Sequence, residues 1–365
     1  MNHRQMFAAL ALVLLSPALH AGTAALETIG EALQAAGGPL RQVSFEDVMP
    51  DTAAPFASLG VVVEEVDGGI PGQDPPVVTD DFSGNHFNWF FGYGSPARFL
   101  VSNLGFSATF PAPVRVAGVS MRSIGCVDGQ SNRMGWRIFD ATDALVDSGV
   151  LLFDEGCPGS TLPVYVGLHA AVPFQRVEFH REGGANFLVD DLQYGPIEGL
   201  SDQVDGSFPP AFVAGFDDVP VDTTQPILSG DLIVTGPAQV TDQFFGFPHA
   251  SVFGGKATPP NMLTTHFAFV ADAPGEIGGL RFFMAGGGCH AGNFATVEAF
   301  DAALRAVDSV AFAATGCVVQ RLGVLGIVPA HRLHVRVQRT GSGFVNAAID
   351  DLELSHFRVF FDGFE

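Results

Sequence analysis

The residues in this chain best placed to do chemistry are carboxylates, and they come in matched pairs. Glu46-Asp47 follows Phe45 and Asp190-Asp191 follows Val189; further on, Asp217-Asp218 follows Phe216 and Asp350-Asp351 follows Ile349. A fold that lays the first strand of each unit beside its last would bring the two pairs of that unit together. Carboxylates crowded at one sheet edge repel one another unless a cation neutralises them, and Ca2+ takes about six to eight oxygen ligands. Neighbouring residues on a strand face opposite ways, so one acid of each pair should serve. Glu46, Asp190, Asp217 and Asp350, or in each case the adjacent acid, are the expected ligands of a structural, non-catalytic Ca2+. The alternative is that these acids cap turns and accept backbone N–H groups.

A second cluster is aromatic. Phe82, Phe87, Trp89, Phe90, Phe91 and Tyr93 crowd a segment that also holds Asn85, His86 and Asn88. Flat rings beside amides and imidazoles suit sugars, whose C–H faces are apolar and whose edges carry hydroxyls. Trp89, Tyr93, His86 and Asn88 are the candidate ligand-binding residues, set against the ordinary alternative that the rings fill a core. The histidines are scattered, and His331 and His334, three apart, do not align on one strand face; they read as surface residues. There is no Gly-x-Ser-x-Gly elbow, no His-Glu-x-x-His and no P-loop. Carboxylates abound, so a secreted glycoside hydrolase stays as a remote alternative.

The order in which these residues occur reveals the architecture. Phe45-Glu46-Asp47-Val48 recurs as Phe216-Asp217-Asp218-Val219, and Val189-Asp190-Asp191-Leu192 recurs as Ile349-Asp350-Asp351-Leu352. Between them Ser95-Pro96-Ala97-Arg98-Phe99-Leu100 is answered by Thr258-Pro259-Pro260-Asn261-Met262-Leu263. Cys126 and Cys157 are answered by Cys289 and Cys317. A repeat of about 150 residues is domain-sized. The expected division is a signal peptide over 1–21, a spacer over 22–42, one domain over 43–196, a linker over 197–210, a second domain over 211–357 and a tail over 358–365.

Period-2 alternation points to strands, as in Arg176-Val177-Glu178-Phe179-His180 and His334-Val335-Arg336-Val337-Gln338. No long amphipathic helix interrupts either repeat. The expectation is an all-β chain of two tandem antiparallel β-sandwiches. The repeated signals resemble galactose-binding-like jelly rolls, as in carbohydrate-binding modules and in secreted bacterial surface proteins of the PEP-CTERM type. The chain lacks the Pro-Glu-Pro, membrane helix and basic tail of the latter, closing instead on Phe361-Asp362-Gly363-Phe364-Glu365. The resemblance implies a jelly-roll fold, raises the expectation of structural calcium and suggests a glycan ligand. The closing segment reads either as an export or retention tag or as a frayed last strand.

Charge and compartment narrow the partners. With 39 Asp+Glu against 17 Lys+Arg, the net charge of -22 repels phosphate backbones and anionic membranes. Arg4 followed by the apolar run Met6–Leu19 and a small-residue site at Ala21 reads as a secretory leader, with cleavage after Ala21 or Ala24. No later run is long enough to insert in a membrane. The mature chain is therefore expected to be secreted, extracellular or cell-surface, with the periplasm as an option. In such a compartment the repeat symmetry favours disulfides Cys126–Cys157 and Cys289–Cys317, each worth roughly 3–4 kcal/mol. The function expected is non-catalytic binding of a polysaccharide or cell-surface glycan. A structural or adhesive envelope protein is the alternative.

Overall fold

The computed structural model describes residues 22–66, 75–80, 98–102, 104–124, 132–153, 164–181, 186–202, 210–244, 247–248, 261–266, 268–286, 293–314, 319–339 and 346–356. The first half runs β1 (Thr23–Leu26), α1 (Ile29–Ala36), β2 (Leu40–Val43), β3 (Thr52–Ala53), β4 (Phe56–Ser58), β5 (Val61–Glu64), β6 (Val77–Thr79), β7 (Phe99–Ser102), β8 (Gly105–Ile124), β9 (Asn132–Phe139), β10 (Leu145–Phe153), β11 (Val164–Arg181) and β12 (Asn186–Gly195). The second runs β13 (Pro210–Ala214), β14 (Ile227–Ser229), β15 (Leu232–Thr235), β16 (Ala238–Thr241), β17 (Gln243–Phe244), β18 (Phe247–Pro248), β19 (Met262–His266), β20 (Ala268–Gly286), β21 (Asn293–Phe300), β22 (Ala306–Ala313), β23 (Gln320–Arg339) and β24 (Asn346–His356).

In each half two long strands fold together over one end of a sandwich. β8 pairs antiparallel with β11 on both sides of a register break near Val114 and Phe174, and β20 pairs with β23 on both sides of a break near Ile277. The stretch before each break joins one sheet and the stretch after it joins the other. In the first half one sheet is built around β7, β12, β8 and β11, and the second around β5, β8, β11, β9 and β10. The second half repeats this with β19, β24, β20 and β23, and with β15, β20, β23, β21 and β22. This is the antiparallel sandwich expected from the sequence. The alternating residues face as predicted: Val177, Phe179, Val335 and Val337 are buried between the sheets. Each sandwich has its own apolar core, with Phe106, Phe110, Phe174 and Phe179 in one and Phe216, Phe269, Phe282 and Phe312 in the other. A fully buried side chain of this size contributes roughly 2–3 kcal/mol.

The 22–42 segment, whose composition reads as a spacer or a loosely docked helix, is a β–α–β unit that packs on both halves. Strand β1 extends the first sheet by pairing with β11. Thr28 opens α1 with a capping box: its hydroxyl accepts the Glu31 N–H at 3.1 Å, and Glu31 in turn accepts the Thr28 N–H. Gly37, at φ 71°, closes the helix. Ile29, Ala32 and Leu33 bury one helix face against Val116 and Tyr165 of the first half and Phe294 and Ala311 of the second. Strand β2 then pairs with β12 on one side and, through Leu40–Ala311 and Arg41–Val310, with β22 on the other. Ala/Gly content alone reads as a loose segment; the helical spacing of Ile29, Ala32 and Leu33 is what buries it.

Candidate functional site

The first pair of carboxylates in each half occupies equivalent places, and all four of these acids accept hydrogen bonds. Phe45 and Phe216 sit in the left-handed region, at φ 63° and 61°, with their rings fully buried. The next acid, Glu46 or Asp217, accepts the backbone N–H of Arg98 at 2.9 Å or of Asn261 at 3.0 Å. The acid after that clamps the following hairpin. Asp47 takes the Ser58 hydroxyl and the Leu59 N–H; Asp218 takes the Ser229 hydroxyl at 2.6 Å and the Gly230 N–H at 3.0 Å. Nearby carbonyls are also used. Arg98 donates to the Glu46 and Val48 carbonyls at 2.6 and 2.7 Å, and Asn261 donates to the Val219 carbonyl at 2.8 Å.

The strand-end acids fall at irregularities of register. The pairing of β8 with β12 slips between Val189 and Leu192, and that of β20 with β24 slips between Arg281 and Phe283, opposite Glu353 and Asp350. A bulge places two residues against one and re-aims their side chains, so the simple alternation that selected Asp190 and Asp350 does not apply here. Asp350 is buried and accepts the Asp351 N–H at 2.9 Å. Asp191, the neighbour that could serve in place of Asp190, is buried and accepts a hydrogen bond from the Gln42 amide at 2.9 Å. The side chain of Asp190 lies outside the described residues. Among the described residues no three His, Cys, Asp or Glu side chains converge to hold a metal ion. Glu46 and Asp217 each accept a backbone N–H from a distant segment, while Asp47 and Asp218 hold the hairpin that follows.

The outer face of the second sheet carries ion pairs in both halves, and the two halves use it differently. In the first half Glu178 on β11 lies opposite Arg137 on β9, with no exposed side chain surface. Its carboxylate is held by Arg137 at 2.6 Å and by Arg176. Arg176 also reaches Asp143 at 2.7 Å and lies 3.7 Å above the Phe139 ring. His180 lies opposite Gly135, where a Cβ would strike its imidazole, so the ring lies across the bare backbone. Arg133 is exposed at the rim and Arg137 is about a third exposed. Guanidinium, carboxylate and imidazole groups held in fixed positions can hydrogen-bond ligand hydroxyls, and none is set up as a nucleophile with a base.

In the second half the equivalent face is covered. Glu298 on β21 and His334 on β23 stand where Arg137 and Glu178 stand in the first half, and Arg336 stands where His180 does. Here the first half docks. Glu298 is 3% exposed and bonds Arg336 at 2.7 Å, His334 at 3.3 Å and the Ser44 hydroxyl of the first half. Burial alone would push its carboxyl up, but these partners outweigh it and bring it down to about 2. Burial pushes Glu46 and Asp191 the other way, to about 7 each, reinforced by the nearby Glu298 charge. Alongside, Arg41 pairs with Asp308, a buried acid on β22. His334, expected at the surface, is therefore a junction residue. The signal available for it was the exchange of charge at equivalent positions of the two repeats.

The aromatic candidates Trp89, Tyr93, His86 and Asn88 lie outside the described residues, as do Cys126, Cys157, Cys289 and Cys317. The strands flanking them are placed. The 81–97 segment joins β6 to β7 in the first half. Ile124 pairs with Asn186, Phe153 with Asn132 and Val164 with Met121, so the ends flanking 125–131 and 154–163 share one end of the sandwich. The second half matches: Gly286 pairs with Ala347, Ala313 with Phe294 and Gln320 with Met284.

No family model matches the sequence, and no curated protein matches it. Among solved structures the chain is similar to TmCBM61 in complex with beta-1,4-galactotriose, at 17% identity and a TM-score of 0.26 over 40% of this chain and 95% of that one. It is similar to the N-terminal CBM22 tandem domain of a Paenibacillus barcinonensis protein, at 11% identity and a TM-score of 0.25 over 88% and 98%. Allantoicase is also similar, at 11% identity and a TM-score of 0.19 over 92% and 93%. Both binding modules and an enzyme thus stand at comparable, low similarity.

Proposed function

We propose that this chain is an exported, non-catalytic glycan-binding protein that binds through its first half. The observation that carries this reading is the asymmetry of the two outer faces. The second half spends its face on the junction, whereas the first half keeps Arg133 and Arg137 at the surface beside His180. The same half holds Trp89 and Tyr93. Planar guanidinium and imidazole groups beside stacking aromatics suit a chain of hydroxylated rings. Because the halves are welded by β2 and α1, the chain offers one binding face rather than two tethered ones, and avidity within a chain is not part of the account.

The test is a panel of immobilised neutral and acidic polysaccharides probed with the mature protein and with Arg137→Ala and Trp89→Ala. Saturable binding that both substitutions weaken at least tenfold supports the reading. No binding to any member of the panel by folded protein would favour the second reading, a structural envelope protein. That reading draws on the same weld, through which β2 and α1 tie the two sandwiches together.

A further inference from the structure

We propose that the chain has a second binding site, for a small organic cation, in a cavity where α1 meets the second sandwich. This inference does not depend on the glycan reading, whose face lies on the first half. The cavity has a volume of about 360 Å3, within the range of small-molecule sites. One wall is the closing turn of α1, with Leu33, Gln34 and Gly38. The other is Asp202 with Asn293 of β21 and Ala313 of β22. Gln34 and Ala313 are exposed, so the cavity opens to solvent. The space exists because the helix ends on two glycines: a Cβ at Gly37 or at Gly38 would meet no atom within 4 Å. Gly37 is needed for its φ of 71°, whereas Gly38 lies outside the left-handed region and could carry a side chain.

The chemistry of the lining selects the ligand. Among the described residues that line the cavity, Asp202 is the one ionisable side chain. A carboxylate offers about four acceptor sites, so the bonds Asp202 makes within the protein leave room for a ligand's N–H groups. The helix adds charge of the same sign. Its C-terminus carries a partial negative charge, and its last turn has no basic residue to answer it. Pro39, four residues after Ala35, has no N–H to give that carbonyl. A cation is thus attracted by both walls, and an anion is repelled by both. The Gln34 and Asn293 amides donate and accept, so a hydroxyl on the ligand has partners. Leu33, which is buried, and Ala313 supply apolar surface for a short alkyl chain. Together these groups fit a protonated primary amine on a short, hydroxyl-bearing body.

The experiment is calorimetric titration of the intact mature protein with 5-amino-1-pentanol, with 1,5-pentanediol as its uncharged analogue and glutarate as an anion of similar length. The amine should bind with a Kd near about 1 mM, within reach of so small a ligand. The diol and glutarate should bind roughly tenfold more weakly or not at all, since each lacks the charged hydrogen bond to Asp202. Asp202→Asn, which keeps the shape of the side chain, should weaken the amine by the same factor. Gly38→Leu, which fills the cavity, should abolish binding. No saturable binding of the amine, equal binding of the diol or glutarate, or amine binding unchanged in either variant would overturn the proposal. Because the variants could fail to fold, an amide NMR titration of the natural chain gives a second reading. Shifts centred on Gly37, Gly38 and Asn293 support the cavity, and shifts centred elsewhere refute it.

Discussion

Replacing Arg41 by Ala removes the cation from a buried ion pair that bridges the halves. Asp308 is 2% exposed and Arg41 19%, so both groups have given up most of their water. At a separation of about 4 Å and an effective dielectric of about 20 the attraction is about 4 kcal/mol. Two things soften the loss. Asp308 keeps the Val328 N–H at 2.9 Å, and burial already pushes its carboxyl upward, so it can take a proton instead. Arg41 also gives up a hydrogen bond to the Gly326 carbonyl at 3.3 Å. We expect Arg41→Ala to cost about 3 kcal/mol at pH 7, close to the lower end for breaking a buried pair. The assay is urea unfolding followed by tryptophan fluorescence, which reports the first half because Trp89 and Trp136 both lie there, and by far-ultraviolet dichroism, which reports both. Asp308→Asn and the double variant complete a cycle, with an expected coupling of about 2 kcal/mol. A loss below about 1 kcal/mol, or singles that add within about 0.5 kcal/mol, would refute the claim that this pair joins the halves.

Other predictions concern individual features. Gly105→Ala should prevent folding or cost several kcal/mol, because at φ 132° a Cβ would strike the Phe179 carbonyl; near-natural stability would show that β8 does not cross β11 so closely. N-terminal sequencing of exported protein should begin at Gly22, not Ala25, because β1 begins at Thr23, whose hydroxyl donates to Asp147 at 2.7 Å; a start at Ala25 would leave β1 half removed. Peptide mapping without reductant should return Cys126–Cys157 and Cys289–Cys317, since the flanking strand ends lie at one end of each sandwich; cross-pairing between halves would contradict the placement. Adding Ca2+ or EDTA should leave the melting temperature within about 1 °C, because Glu46 and Asp217 are satisfied by N–H groups; a larger shift would restore calcium to the account.

Much of the fold could be read from the chain, for a physical reason. Asp47 and Asp218 clamp a turn that only their position after a left-handed Phe allows, so the motif recurs wherever the sandwich begins. The bulge acids mark its last strand in the same way. Alternation in β11 and β23 was legible because one face of each is core. What escaped was everything that depends on the other half. Nothing local to Glu298 reveals that Ser44 will bond it, and nothing in Leu40–Val43 says that both edges of that strand will be paired. The N–H donors that Glu46 and Asp217 accept, from Arg98 and Asn261, come from a distant segment whose side of the sandwich only the fold decides.

The central claim is that ligand meets the first half alone. Hydrogen exchange of the intact protein, with and without the best-binding polysaccharide of the panel, tests it most directly. The account predicts slowed exchange in β9, in the 174–181 stretch of β11 and in residues 81–97, with no change in β21 or in the equivalent stretch of β23. Protection centred on the second half, or spread equally over both, would contradict it.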